Sequence, residues 1–278
     1  MDRPIQDIAG EELRQYIAGH KESEYVLIDV RQPEEYQAGH IPGAKLVPLP
    51  ELEGRVQEIA ELRGKDLFFY CRSGSRSMRA ASFVATGLGL PRVHHLVGGI
   101  TAWKHQVLPD FPRLKALDIS GAVPEMLRQA LGMEKGAQRF YEALLPYYEG
   151  TEIHPVVEEL ARAEEGHARI VYGALSALPG EPPEPFERIF EDLPGELLES
   201  GQSFGEAVSR ARQIGALGSL ALLEMVLEME FSAYDLYRTL ADRAESSDIK
   251  GALLDLAQQE KRHAIALANK LGKMASHG

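Results

Sequence analysis

Cys71 is the single cysteine among 278 residues, and it opens the loop Cys71-Arg72-Ser73-Gly74-Ser75-Arg76-Ser77. The apolar run Asp66–Tyr70 precedes it and a helical pattern follows it. Such a strand-to-helix turn sets a thiol beside the N–H groups of a helix N-terminus. Those donors and two flanking arginines favour the thiolate. A thiolate in a ring of donors attacks sulfur and carries it as a persulfide. Gly74 permits the tight loop, and Arg72 and Arg76 suit an anionic donor such as thiosulfate. The Arg- and Ser-rich flank disfavours an inert buried cysteine. Spacing disfavours a cysteine phosphatase, which needs an arginine six positions after the cysteine; that position is Ser77.

A second set of reactive side chains lies in a repeat with an offset of 96 residues. Glu164-Glu165-Gly166-His167 recurs as Glu260-Lys261-Arg262-His263, and Leu127, Leu131, Glu134 and Tyr141 recur as Leu223, Leu227, Glu230 and Tyr237. Leu160, Glu164, His167 and Val171 fall on one helical stripe, as do Leu256, Glu260, His263 and Leu267. Carboxylates and imidazoles are thus threaded into apolar, core-facing stripes. An unpaired buried carboxylate costs several kcal/mol by rough desolvation estimates, and metal coordination offsets that cost. A Glu and a His three apart share a helix face. Two such pairs, with Glu134 and Glu230 from the other helices, give four carboxylates and two imidazoles, the ligand set of dinuclear iron or manganese bundles.

Two kinds of element must position these groups. Up to residue 108 strand-like runs (Tyr25–Val30, Asp66–Tyr70, Val93–Val97) alternate with helical stretches (Glu11–His20, Glu51–Leu62, Ser77–Thr86). That pattern predicts an α/β domain with a mainly parallel sheet flanked by helices. From Val123 long helical patterns take over at Val123–Tyr148, Ile153–Ala177, Ser219–Ala244 and Asp248–Lys273. A Pro- and Gly-rich break at Leu178–Pro185 and a further helix at Phe204–Ile214 fill the crossover, which predicts an all-α four-helix bundle. The expected organisation is a first domain over 1–108, a linker over 109–122 and the bundle over 123–278.

Charge follows the same division. Residues 1–108 hold 13 basic and 14 acidic residues, the remainder 17 and 28, within a formal net charge of -12. An acidic second half argues against nucleic-acid binding. No apolar run approaches a membrane span, and the start lacks a signal-peptide core, so a cytoplasmic location is expected. One cysteine excludes an intrachain disulfide, an all-cysteine zinc site and a rubredoxin-type iron site within one chain. No phosphate-binding glycine pattern or dinucleotide fingerprint appears, and no organic cofactor is expected.

The first domain resembles the rhodanese family of single-domain sulfurtransferases. The resemblance is carried by Leu27-Ile28-Asp29-Val30-Arg31, Pro33-Glu34-Glu35-Tyr36, Gly39-His40-Ile41-Pro42-Gly43-Ala44, the Cys71 loop, and Val97-Gly98-Gly99-Ile100-Thr101-Ala102-Trp103. It implies that Cys71 accepts sulfur and that Arg72, Ser73, Gly74, Ser75 and Arg76 form the anion cradle. Asp29 and Arg31 match a motif near the site, where an ion pair fixing the loops is their expected role. His40 reads as a turn and packing residue, and His94 and His95 receive no role.

The second half resembles the rubrerythrin branch of the ferritin-like superfamily over about residues 120–275. It does so through Glu134 with Phe140-Tyr141, Glu164 with His167, Glu230 with Tyr237, and Glu260 with His263. The implied cofactor is two iron ions per chain, with manganese sharing the same ligands, held by Glu134, Glu164, His167, Glu230, Glu260 and His263. Two departures stand out: the further carboxylate the family carries three positions after the third-helix ligand is Ala233 here, and the rubredoxin domain is absent.

Three functions follow. The first couples sulfur transfer through a Cys71 persulfide to peroxide or oxygen reduction at the bundle. The second makes the bundle an iron-oxidising or iron-storing unit with accessory sulfur transfer, and the third a metal-free dimerisation scaffold. The expected partners are a thiosulfate or persulfide donor, an outside thiol acceptor, an external electron donor and a second copy in a homodimer, with no nucleic acid and no membrane.

Overall fold

The computed structural model describes residues 5–108, 123–180, 184–215 and 218–275. The expected linker 109–122 lies outside them, as does part of the break at 178–185. The chain divides into two compact units, Met1–Phe111 and Pro112–Gly278.

The first unit is a five-stranded parallel sheet in the order β1-β5-β4-β2-β3, built from β1 (Gln6–Ile8), β2 (Tyr25–Asp29), β3 (Lys45–Leu46), β4 (Asp66–Tyr70) and β5 (Val93–Leu96). Alternate residues of the central strands serve opposite faces, as the pleat requires. Val26, Ile28, Leu67 and Phe69 join one core, and Tyr25, Leu27, Phe68 and Tyr70 the other. A strand buried on both faces must be apolar throughout, which is why β2 and β4 read as unbroken runs. Helices α1 (Gly10–Gly19), α2 (Pro33–Gln37), α3 (Val56–Ala60), α4 (Ser75–Ser82) and α5 (Gly99–Ala102) complete the unit.

Two local expectations change. The single helix over Glu51–Leu62 divides into a tight 3-10 stretch at Leu49–Arg55 and the short α3. Pro50 removes a donor there and Gly54 weakens the α-conformation. The helix after Cys71 begins at Ser75, and its last turn widens into a π-type turn at Phe83–Gly87. Strands β1 and β3 escaped notice because three and two residues carry no usable periodicity.

The second unit is built on α6 (Val123–Leu144), α7 (His154–Ser176), α10 (Ser219–Arg243) and α11 (Ser247–Ala275). Helix α6 packs on α7, α10 on α11, and α7 on α11. The connection from α7 to α10 carries α8 (Phe186–Asp192) and α9 (Phe204–Gly215), with α9 lying against α6 and α10. No helix among the described residues is long and apolar enough to cross a membrane.

Candidate functional site

Cys71 leaves the C-terminal end of β4 and is almost fully buried. The Gly74 N–H donates to its Sγ at 3.1 Å, and Ser77 Oγ lies 3.5 Å from the same sulfur. Gly74 takes φ +104°, which lets the chain fold back and aim its N–H at the sulfur. Burial pushes the Cys71 thiol up. The Ser77 hydroxyl and the N–H groups of Ser77, Gly74 and Ser73 outweigh that effect and hold it below its ordinary value.

The loop is fixed from outside. Ile100 N donates to Cys71 O at 2.8 Å, and Thr101 N to Arg72 O at 3.1 Å. Gly99 sits at φ +59°, where an added Cβ would lie 2.3 Å from Cys71 O. Arg31 makes a buried fork with Asp29, at 2.6 Å from Nη2 to Oδ2, and donates to Gly39 O at 2.7 Å. Asp29 and Arg31 thus join the end of β2 to the Gly39 turn. His40 is fully buried, stacked on Tyr36 at 3.8 Å.

The two arginines of the loop differ. Arg72 is exposed, as are Ser73 and Ser75. Arg76 forms a fork with Glu35, at 2.5 and 2.7 Å. That pair holds Glu35 down at about 2 and already occupies part of the Arg76 guanidinium. Of the two, Arg72 is the one open to an incoming anion.

Two residues of this site went unread in the sequence. In the sequence Ser77 reads only as the wrong residue for phosphatase chemistry, yet its hydroxyl reaches Sγ, Gly74 O at 3.0 Å and His95 Nδ1 at 3.1 Å. His95 is buried on β5, and burial pulls its pKa below the ordinary value. With Nδ1 protonated, its N–H donates to Ser77 Oγ and frees the hydroxyl proton for Sγ. His94, by contrast, stacks on Phe68 and meets Asp66 at 2.9 Å.

In the bundle, one polar layer separates two apolar clusters. On α6 one cluster runs to Met133 and the other begins at Ala137, with Glu134 between. Glu164 and His167 fall between Ala161 and Ala168, Glu230 between Met229 and Ala233, and Glu260 and His263 between Ala257 and Leu267. All six residues expected to bind metal therefore lie at one level.

Glu134, Glu164, His167 and Glu260 each present a ligand atom within 4.8 Å of the others, and His167, Glu260 and His263 do the same. His167 Nδ1 stands 2.7 Å from Glu260 Oε1, 3.3 Å from Glu164 Oε2 and 3.5 Å from Glu134 Oε2. Glu230 joins the layer through His263, at 3.3 Å. Burial would pull His167 down, but Glu260, Glu134 and Glu164 together raise it well above the ordinary range. Burial itself drives Glu134 well up and Glu230 to about 7.

Several atoms of this layer have charged neighbours but no well-formed hydrogen bond: both oxygens of Glu134, Glu230 Oε2 and His263 Nδ1. Buried polar atoms are rarely left so. Oxygen and imidazole nitrogen donors, convergent and otherwise unsatisfied, fit a metal centre. Tyr141, fully buried, donates to Glu230 Oε1 at 2.5 Å, whereas the OH of its repeat mate Tyr237 has no partner.

Sequence inspection also missed Glu199, a buried carboxylate on the α8–α9 connection whose Oε1 makes no hydrogen bond. It stands outside the repeat, so no spacing marked it.

Comparison with known proteins agrees with this division. The Rhodanese-like domain family matches residues 11–106, and the Rubrerythrin family matches residues 125–193 and 221–277. Uncharacterized protein YqhL of Bacillus subtilis (strain 168) is 37% identical over 101 residues, covering 36% of this chain and 74% of that protein. A protein named Sulfurtransferase from Allochromatium vinosum is 36% identical over 105 residues, 38% of this chain and 94% of its own length. A rhodanese-related protein from Thermoplasma volcanium, known from a crystal structure, is 29% identical and covers 37% of this chain and 97% of its own, with a TM-score of 0.32. The chain belongs to the rhodanese-like family through its first unit and to the rubrerythrin family through its second, joining a sulfurtransferase-type domain to a helical domain whose carboxylate and histidine cluster can hold metal.

Proposed function

We propose that this protein moves sulfane sulfur through a persulfide on Cys71 and reduces peroxide or oxygen at a dinuclear iron centre in the bundle. The sulfur half rests above all on the donors that converge on Cys71 Sγ. The thiolate attacks the outer sulfur of thiosulfate, the S–S bond of the donor breaks, and sulfite leaves with the electron pair. Cys71 then carries the terminal sulfur as a persulfide anion, which the same N–H groups of the loop stabilise. Arg72, at the exposed rim, meets the sulfonate end of the donor. The chain has no second cysteine, so an outside thiol, or cyanide in an assay, takes the sulfur and regenerates the thiolate.

The bundle half rests on the sharing of one imidazole, His167, among Glu134, Glu164 and Glu260. These residues, with Glu230 and His263, would hold the two ions. When bound, such a pair supplies two electrons to an oxidant, and an external donor restores them. Reduction of peroxide to two waters consumes two electrons and two protons. Tyr141 holds a proton at Glu230 Oε1, and the apolar clusters on either side of the layer exclude bulk water. The buried phenols of Tyr141 and Tyr237 beside this layer favour redox turnover over storage.

Two assays test the two halves. Mass spectrometry after thiosulfate treatment is expected to show one added sulfur on the intact chain and none on Cys71→Ser. Iron-loaded protein with a reductant is expected to consume peroxide over many turnovers. Uptake of many ferrous ions per chain without such turnover would favour storage, and absence of bound metal would leave a scaffold.

A further inference from the structure

Glu199 lies on the α8–α9 connection, at a place where that connection is pressed onto helix α6. Leu197 pairs with Ser203 in an isolated antiparallel bridge, and Leu198 N donates to Gln202 O at 3.0 Å. These bonds close a small hairpin with Glu199 near its tip. Leu198, beside it, is fully buried in the apolar cluster that begins at Ala137 on α6 and includes Phe140.

Contact with α6 is intimate. An added Cβ on Gly136 would lie 2.1 Å from Leu197 O, so only glycine lets the two backbones approach this closely. Arg139 Nη1 donates to Gly195 O at 3.1 Å from the same helix. Gly136 is two residues beyond Glu134. The hairpin is thus fastened to the stretch of α6 that carries one of the metal-layer carboxylates.

Glu199 is 7% exposed, and its Oε1 has no hydrogen-bond partner. Neither oxygen of Glu134 has one either. Burial first, then the carboxylates of Glu134, Glu164 and Glu260, push Glu199 well above the ordinary carboxylate range. Glu134 is the foremost of those charged neighbours. A carboxylate buried among like charges, with one oxygen left unpaired, has little structural gain to offset its cost.

The repeat sharpens the point. Glu134 and Glu230 are mates at an offset of 96, and so are Tyr141 and Tyr237. On one side Tyr141 donates to Glu230. On the other, Tyr237 makes no such bond and Glu134 has no tyrosine donor. The two halves of the layer are therefore inequivalent, and the hairpin that carries Glu199 packs on α6 two residues beyond Glu134, the carboxylate that lacks a tyrosine contact.

We propose that Glu199 is a seventh protein ligand of the metal centre, supplied by the crossover connection and bound to the ion on the Glu134 side. This inference rests on the reading of the layer as a metal centre. It makes the crossover a part of the site, so that metal binding fastens residues 195–203 to the four-helix frame. It also returns a carboxylate to a centre whose α10 offers only Ala233 one turn beyond Glu230.

The test compares full-length wild type with Glu199→Gln, using cobalt(II) and manganese(II) as probes. Affinity is read by titration, coordination by the visible spectrum of the cobalt form, and folding by the melting temperature of the metal-free protein. A ligand role predicts at least about tenfold weaker binding and an altered cobalt spectrum. It also predicts a metal-free melting temperature at or above wild type, because Gln keeps the size of the side chain and removes an ionisable group from among like charges. Unchanged affinity and spectrum would overturn the proposal while leaving the metal centre intact. No metal binding by wild type would overturn both. If Glu199→Gln does not fold, Glu199→Asp, which keeps the carboxylate but shortens its reach, is measured in the same way. Weakened binding and a shifted spectrum are again expected, and wild-type values would overturn the proposal.

Discussion

His167 Nδ1 lies 2.7 Å from Glu260 Oε1, joining α7 to α11 and one half of the sequence repeat to the other. Neither residue has an apolar reason to be at the centre of a bundle. The apolar clusters above and below fix the helices, and the frame then forces charged groups into one layer. Removing metal should therefore loosen the second unit selectively. A ligand present at about 100 times its dissociation constant adds about 2.7 kcal/mol to stability. Scanning calorimetry with and without chelator is expected to show a lower melting transition for the bundle and an unmoved one for the first unit.

Thiolate formation at Cys71 depends on Ser77 and, through it, on His95. A hydrogen bond to a charged group is worth about 1.5–3 kcal/mol, and 1.36 kcal/mol is one pKa unit. Ser77→Ala should raise the thiol pKa by about one unit. Because the thiolate is the nucleophile, the rise in sulfur-transfer rate with pH moves to higher pH by that amount. Above both pKa values the variant approaches the wild-type rate. His95→Phe should move the profile in the same direction by less. A pH–rate profile of each variant checks this.

Acid should weaken the first unit through Glu35. Its pKa is held at about 2 by Arg76, below the ordinary carboxylate value of 4.5. A depressed carboxylate stabilises the fold fully above its unfolded pKa and ceases to do so as pH falls from about 4.5 towards 2. Both partners are partly exposed, so solvent screening limits the effect to about 1 kcal/mol. Glu35→Gln should cost that much in urea melts at pH 6, and progressively less as the pH falls from about 4.5 through about 2.

Gly99→Ala should disable the Cys71 loop without touching the sulfur. The new Cβ would sit 2.3 Å from Cys71 O in a left-handed conformation, which displaces either the loop or α5. Loss of about 2 kcal/mol or more is expected, together with a rate loss of at least about tenfold. Thermal melts and the thiosulfate assay read the two separately.

Much of this was legible in the chain. The buried strands β2 and β4 show as apolar runs because both faces are covered. The polar layer of the bundle shows because duplication wrote Glu134, Glu164 and His167 twice. The rest was hidden for physical reasons. Glu199 belongs to no repeat, and only the close approach of Leu197 to Gly136 brings it in. His95 looks like an ordinary strand residue, and its role depends on Ser77 being 18 residues away in sequence but 3.1 Å away in space. Arg76 reads as an open cation until Glu35, 41 residues earlier, is seen to hold it. Pairings between distant, non-periodic residues leave no local trace.

The account turns most directly on metal content per chain, measured by elemental analysis on full-length wild type and on a Glu164→Ala, Glu260→Ala double variant after anaerobic ferrous reconstitution. About two iron ions per wild-type chain, lost in the variant, is the predicted result. Wild-type protein without bound metal, or a variant that keeps its iron, would contradict it.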